Sequence, residues 1–136
     1  MRITFVQTGG TIDKDYPRSR GGYAFEIGDP AAARLMQRWQ ATVDFSSRTA
    51  FRKDSTEITD EDRAALADLI ADDPNEHIVV THGTDTLLET AAFLADRVGD
   101  KRIVLTGAMR PERFSDSDAP LNLGCAVGAL QFADPG

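Results

Sequence analysis

The sequence predicts a three-layer α/β domain, a parallel sheet with helices on both faces, and three observations carry that expectation. Short apolar runs at 3–7, 78–80 and 103–105 have the length and content of strands buried on both sides. The stretches between them place apolar residues at three- and four-residue spacing, as helices packed on a sheet do. Strand and helix alternate along the chain, which gives parallel strands joined by crossover connections. The arrangement expected is Rossmann-like or flavodoxin-like.

The elements follow in order. Ile3 to Gln7 is a buried strand ending at the tight turn Thr8-Gly9-Gly10-Thr11. Residues 13–22, polar and basic with a proline and paired glycines, read as a mobile loop, and 23–27 as a brief strand. Asp29 and Pro30 are placed as N-cap and first residue of a helix carrying Leu35, Met36 and Trp39. Residues 43–51 form a second long strand. Thr59-Asp60-Glu61-Asp62 has the form of a capping box and sets three acids at a positive helix end, with Leu66, Leu69 and Ile70 on the apolar face beyond it.

Residues 86–98 make the next helix, with Leu87, Ala91, Leu94, Ala95 and Val98 as its stripe and Gly99 as its stop. Ser117-Asp118 with Pro120 starts a last helix reaching Phe132. Its Gly124 and Gly128, four apart, predict close backbone packing onto the sheet or a partner helix. No repeat or linker interrupts the chain, so residues 1–136 read as one domain.

Composition narrows the function classes. Apolar residues make up 41% and charged residues 27% of 136, ordinary for a water-soluble globular chain. A net charge of −7 repels phosphate backbones and anionic lipid, which argues against nucleic-acid and membrane partners. No run approaches the ~18 apolar residues a bilayer span requires. The N-terminus enters a strand directly, so no leader and a cytoplasmic protein are expected. Cys125 has no partner for an intramolecular disulfide and sits among small apolar residues, where a buried, inert thiol is expected.

Three polar clusters each follow an expected buried strand: 8–11, 81–86 and 106–111. Ligands of open α/β sheets bind at the carboxyl ends of strands, so these clusters fall on one rim. In Thr8-Gly9-Gly10-Thr11, two glycines allow a sharp turn and close approach of a ligand to backbone. The hydroxyl that follows can stand beside amides able to face a developing oxyanion. The same residues could form a plain turn whose threonines bond their own backbone. They match neither a dinucleotide fingerprint nor a P-loop.

In Thr81-His82-Gly83-Thr84-Asp85-Thr86, helix capping accounts for one of Thr84 and Asp85, but not for so many hydroxyl and acid groups. A carboxylate beside a hydroxyl can hold an ammonium or position a proton carrier. His82 is read as structural. His77 and His82 lack metal-ligand spacing, so neither metal nor cofactor is expected. In the third cluster Arg110 reads as a solvated or salt-bridged surface residue, and Ser115-Asp116-Ser117-Asp118 as a loop plus helix cap.

Together TGGTI at 8–12, DSTEITDED at 54–62, THGTDT at 81–86, TGAMRP at 106–111 and SDAPLNL at 117–123 resemble the asparaginase/glutaminase family, in its order and at its spacing. The resemblance is to the N-terminal catalytic domain and implies hydrolysis of the L-asparagine side-chain amide through a threonine acyl-enzyme, with L-glutamine a poorer substrate. It implies that Thr11 is the nucleophile, following Gly10. It sets Tyr23 at the place of the loop tyrosine that activates the nucleophile. Ser55, with Thr56 beside it, corresponds to the serine that holds the substrate's α-carboxylate.

Thr84 and Asp85, after Gly83, correspond to the threonine and aspartate of the family's Thr-Lys-Asp group, Asp85 also meeting the α-ammonium. Backbone near Ala108 corresponds to the wall against the leaving amide. The family's lysine corresponds to a place after Gly136, and neither Lys14, Lys53 nor Lys101 matches it; Lys14 is near Thr11 in sequence. A rival reading is an amino-acid-binding domain that keeps the pocket without that lysine. A homo-oligomer, a dimer or higher, is the expected assembly.

Overall fold

The computed structural model describes residues 1–17 and 25–136. The elements are β1 (Arg2–Gly9), β2 (Lys14–Asp15), β3 (Glu26–Ile27), α1 (Ala31–Arg38), β4 (Asp44–Lys53), α2 (Asp60–Ala71), β5 (His77–Thr81), α3 (Leu87–Ala95), β6 (Arg102–Thr106) and α4 (Ala119–Leu130). Single 3₁₀ turns at Thr11–Asp13 and Ser55–Glu57 follow β1 and β4.

The main sheet has the order β4-β1-β5-β6 and is parallel throughout. Val6 stands beside Val80 and Val80 beside Leu105, so the apolar centres of three strands lie in one band. Alternation along β1 and β5 splits the core in two. Ile3, Phe5 and Val79 pack against α1 and α4 through Leu35, Met36, Leu123 and Leu130. Val6, Ile78 and Val80 pack against α2 and α3 through Leu66, Ile70, Leu94 and Val98. Each fully buried aliphatic or aromatic side chain contributes about 1.5–3 kcal/mol. The sheet with helices on both faces is the expected fold.

The chain moves from β1 outward to β4, then returns past β1 to β5. The direction of winding therefore reverses between β1 and β5, and such a switch point opens a crevice at the strands' carboxyl ends. The turns of the first two polar clusters stand there. At the opposite end Thr4, Asp73, Asn75 and Lys101 knit the loop before β5: Thr4 Oγ1 donates to Asp73 Oδ1 at 2.9 Å and Lys101 Nζ to Asp73 O at 2.7 Å.

The structure corrects several local expectations. Residues 13–15, assigned to a mobile loop, belong to the 3₁₀ turn and to β2, which pairs antiparallel with β3; residues 18–22 of that loop lie outside the described residues, as do 23–24 of the brief strand. Asp29 does not cap α1. Its N-cap is Pro30, and the amide of Ala31 donates instead to Asp13 Oδ1 at 2.8 Å, a cap supplied from 18 residues upstream. Asp29 pairs with Arg52.

Cys125 is exposed rather than buried. Ala119, Leu123, Ala126 and Leu130 take the inward positions of α4, and the helical period turns Cys125 away from them. In a helix apolar nearly all round, composition does not say which face is covered. Gly124 and Gly128 do not approach the sheet: a β-carbon at either would meet nothing within 4 Å. No helix among the described residues is long and apolar enough to cross a membrane.

The capping box of α2 is present in both directions: Asp62 N donates to Thr59 Oγ1 at 3.2 Å, and Thr59 N to Asp62 Oδ2 at 2.9 Å. Asp62 also holds Lys53 Nζ at 2.7 Å. Thr59→Ala removes the hydroxyl acceptor and is expected to lower the unfolding free energy by about 1 kcal/mol, read by urea denaturation. Unchanged stability would contradict this role.

Candidate functional site

The crevice is built by glycines at which backbone meets backbone. Gly9 and Gly10 have φ of +119° and +83°, a region L side chains rarely adopt. A β-carbon on Gly10 would lie 2.4 Å from Gly83 N and 2.5 Å from Gly83 Cα. One on Gly83 would lie 2.7 Å from both Cβ and Oγ of Ser55. One on Gly107 would lie 2.4 Å from His82 O. The turns after β1, β4, β5 and β6 are thereby drawn against one another, with the side chain of Ser55 packed on Gly83.

Hydrogen bonds fix the same contacts. Gly10 N donates to Lys53 O at 3.1 Å and His82 N to Thr106 O at 2.9 Å. Thr8 Oγ1 donates to Thr81 O at 2.8 Å. Thr86 Oγ1 donates to Ser55 O, also at 2.8 Å, which ties the start of α3 to the turn after β4.

The structure brings Gly10, Ser55 and Gly83 into contact and sets Thr11 and Thr84 next to that contact in the chain. Thr11 is partly exposed, Thr84 and Asp85 are exposed, and Ser55 is buried. Among the described residues, the side chains of Thr11, Thr84 and Asp85 make no hydrogen bond or ion pair. Capping accounts for neither Thr84 nor Asp85, because α3 has Thr86 as N-cap and no side-chain cap bond. Ala108 is buried in the core with Ile3, Phe5 and Leu123. Thr56 is exposed, its hydroxyl donating to Asp54 Oδ1 at 3.1 Å. Tyr23 lies outside the described residues.

Of the three lysines considered above, Lys53 is bound to Asp62 and Lys101 to Asp73 O at the opposite sheet end. Lys14 is at the rim, with Nζ 3.7 Å from Asp54 Oδ2.

His82 is fully buried and its ring bonds are assignable by elimination. Arg63 Nε can only donate, and does so to Thr90 Oγ1 at 3.0 Å. Gly83 O can only accept, so His82 Nδ1 carries the proton and donates to it at 2.7 Å; burial keeps the ring neutral, which leaves Nε2 to accept from Thr90 Oγ1 at 2.9 Å. The imidazole is neutral, and burial holds its pKa below the ordinary value. It braces the Gly83 turn from beneath and does not face the crevice as a base.

Sequence reasoning missed three further groups. Asp118 does not cap α4 with its side chain; its carboxylate accepts from Met109 N and Arg110 N and thereby holds the turn after β6. Those amide donors, Met109 N first, keep its pKa below the usual carboxylate range. Asn122 Nδ2 donates to Gly107 O at 3.0 Å and to Asp118 Oδ2 at 2.9 Å. Asp13 is fully buried, and burial raises its pKa to about 6. Periodicity marks none of the three, since each acts through the backbone of a distant segment. Arg110 pairs with Asp116 at the surface.

An open parallel sheet with hydroxyls and a carboxylate gathered at its switch point has the architecture of a small-molecule site. The family described as Asparaginase, N-terminal, matches residues 2–135, and the chain belongs to that family. It is 36% identical to a glutaminase-asparaginase of Acinetobacter glutaminasificans over 133 residues, covering 92% of this chain and 40% of the relative.

The solved structure of the thermostable L-asparaginase from Thermococcus kodakarensis superposes with a TM-score of 0.84 at 31% identity, over 100% of this chain and 42% of that one. A probable cytoplasmic L-asparaginase from Campylobacter jejuni gives 0.79 at 34% identity, over 95% of this chain and 41% of its own. The chain thus spans about two fifths of the length of the relatives it matches.

Thr90→Val keeps the side-chain shape but leaves His82 Nε2 without its donor and Arg63 Nε without its acceptor. A loss of about 1–3 kcal/mol in unfolding free energy is expected, measured by denaturant titration. A variant as stable as the wild type would refute the buried relay.

Proposed function

We propose that this site hydrolyses the side-chain amide of L-asparagine to L-aspartate and ammonia, with L-glutamine a poorer substrate. The observation that carries the reading is the convergence of Thr11, Ser55, Thr84 and Asp85 on one crevice through the Gly10–Gly83–Ser55 contacts. Family membership and the names of the relatives support the substrate class.

The substrate's zwitterionic end requires one anionic and one hydrogen-bonding partner. Asp85 supplies the carboxylate for the α-ammonium. Ser55 and neighbouring amides receive the α-carboxylate. The side-chain amide then reaches past Gly10 to Thr11 and lies along the backbone at Ala108.

A threonine hydroxyl is a weak nucleophile and attacks only as a positioned group takes its proton. Thr11 Oγ forms a bond to the amide carbon while its proton passes toward the leaving nitrogen through the groups beside it, among which we place Thr84 and Tyr23. The carbonyl oxygen gains the negative charge, and amides of the Gly9-Gly10 turn can face it. Collapse of this intermediate breaks the C–N bond, releases ammonia and leaves an ester on Thr11. Water attacks that ester, and the aspartate leaves as the hydroxyl is restored. One oxyanion donor contributes roughly 3–4 kcal/mol and positioned proton transfer about 10²–10⁴-fold. The same reading carries a cytoplasmic location and association of copies.

Ammonia release from L-asparagine is expected to vanish in Thr11→Ala, while L-aspartate still binds; full activity in that variant would remove Thr11 as nucleophile. Asp85→Asn removes the ammonium's charge partner. It is expected to weaken L-aspartate binding about tenfold or more by calorimetry, one factor of ten being about 1.4 kcal/mol. Equal affinity would contradict the assignment. Binding by the wild type without any turnover would favour the rival reading of an amino-acid-binding domain.

A further inference from the structure

Beneath the reactive turn lies a carboxyl group that the reaction above does not use. Asp13 is two residues from Thr11 and has no exposure to solvent. Its Oδ1 accepts from Ala31 N, the first amide of α1, at 2.8 Å, and its Oδ2 accepts from Thr81 Oγ1 at 3.3 Å. Gln7 stands beside it and helps to hold its pKa down, its side-chain amide donating to Gly28 O at 2.9 Å and accepting from Thr49 Oγ1 at 3.0 Å. Its own carbonyl accepts from Gly28 N at 2.8 Å.

One residue thus joins the turn after β1 to the end of β5 and to the start of α1. The turn is otherwise held by backbone bonds and one core side chain: Glu112 N donates to Ile12 O at 3.2 Å, Gly10 N to Lys53 O at 3.1 Å, and Ile12 is fully buried. It is a single 3₁₀ turn whose N-cap, Gly10, has no side chain. A nucleophile displaced by about 1 Å can lose roughly a hundredfold in rate.

We propose that Asp13 is a positioning residue for the Thr11 turn, fixing it to Thr81 of β5 and to the N-terminus of α1 through one buried carboxyl group. The functional side of this inference rests on Thr11 being the nucleophile; the positional side does not. Protonation of Asp13 turns an acceptor of two donors, Ala31 N and Thr81 Oγ1, into a group that must itself donate, so one arm of the network is exchanged. The positive end of α1 favours the charged form. Other charges packed around it are Arg34 of α1, paired with Glu112, and Asp15 on its own segment, paired with Arg113. From β1 and β5 it meets the neutral Gln7 and Thr81.

The test follows backbone amides by ¹H–¹⁵N NMR from about pH 4 to about pH 8. In the wild type, Thr11 and Ala31 are expected to titrate together with a midpoint near 6. In Asp13→Asn that shared titration disappears. Thr81→Val, which removes one donor to the carboxylate, is expected to move the midpoint upward, and keeps the test open should Asp13→Asn fold poorly. An Ala31 amide that titrates while Thr11 stays still would overturn the proposal, because Asp13 would then cap the helix without governing the turn. So would a midpoint that Thr81→Val leaves in place. The two readings fail separately: absence of a shared titration in the wild type sinks the positioning role, whereas a shared titration in the wild type with undiminished turnover in Thr11→Ala sinks only the nucleophile.

Discussion

The site depends on glycine contacts too close to admit a β-carbon. Gly10 lies against the backbone of Gly83, Gly83 against Ser55, and Gly107 against His82. An added methyl at any of these would sit under 3 Å from its neighbour. Four strand ends can share one crevice only because these positions carry no β-carbon. The two residues of β1's terminal turn must also adopt positive φ, which glycine does without steric cost. Everything that could touch a ligand, from the hydroxyls of Thr11 and Thr84 to the carboxylate of Asp85, is hung on this frame.

Such a frame is held from behind by buried polar groups. Thr8, Gln7, Asp13, Thr81 and His82 are all buried near the carboxyl end of the sheet, where an apolar core would be simpler to pack. Their burial is tolerable because no described buried side-chain polar atom lacks a partner. Satisfied networks of this kind give rigidity and a unique arrangement, and each member costs more to remove than it contributes. His82 braces the Gly83 turn through Thr90 and Arg63; Asp118 and Asn122 brace the Gly107 turn in the same fashion. Thr84 and Asp85 stand exposed and Thr11 partly so, while the groups beneath them are dry.

Much of this was legible in the sequence, and the limits have physical causes. The strand at 78–80 announces itself because a strand buried on both faces has little choice of residue; 103–105 reads alike, although as the edge strand it is only partly buried. The capping box at Thr59 is a local device and reads locally. The cap of α1 does not: its donor finds Asp13 through the fold, so Asp29, the nearer acid, looked the better candidate. Cys125 misled for a related reason, since α4 is apolar on more than one side and only the packed structure selects its inner face. The glycines of 8–11 and 81–86 signalled close approach, but sequence could not say that their partner was each other.

The claim underlying this account is that the turns after β1, β4 and β5 form one pocket for one amino acid. Titrating L-aspartate into ¹⁵N-labelled wild-type protein tests it directly. The account requires the amides of Thr11, Ser55, Thr84 and Asp85 to shift together along a single binding curve. Shifts confined to one of those segments, or centred on the opposite end of the sheet around Asp73 and Lys101, would contradict it.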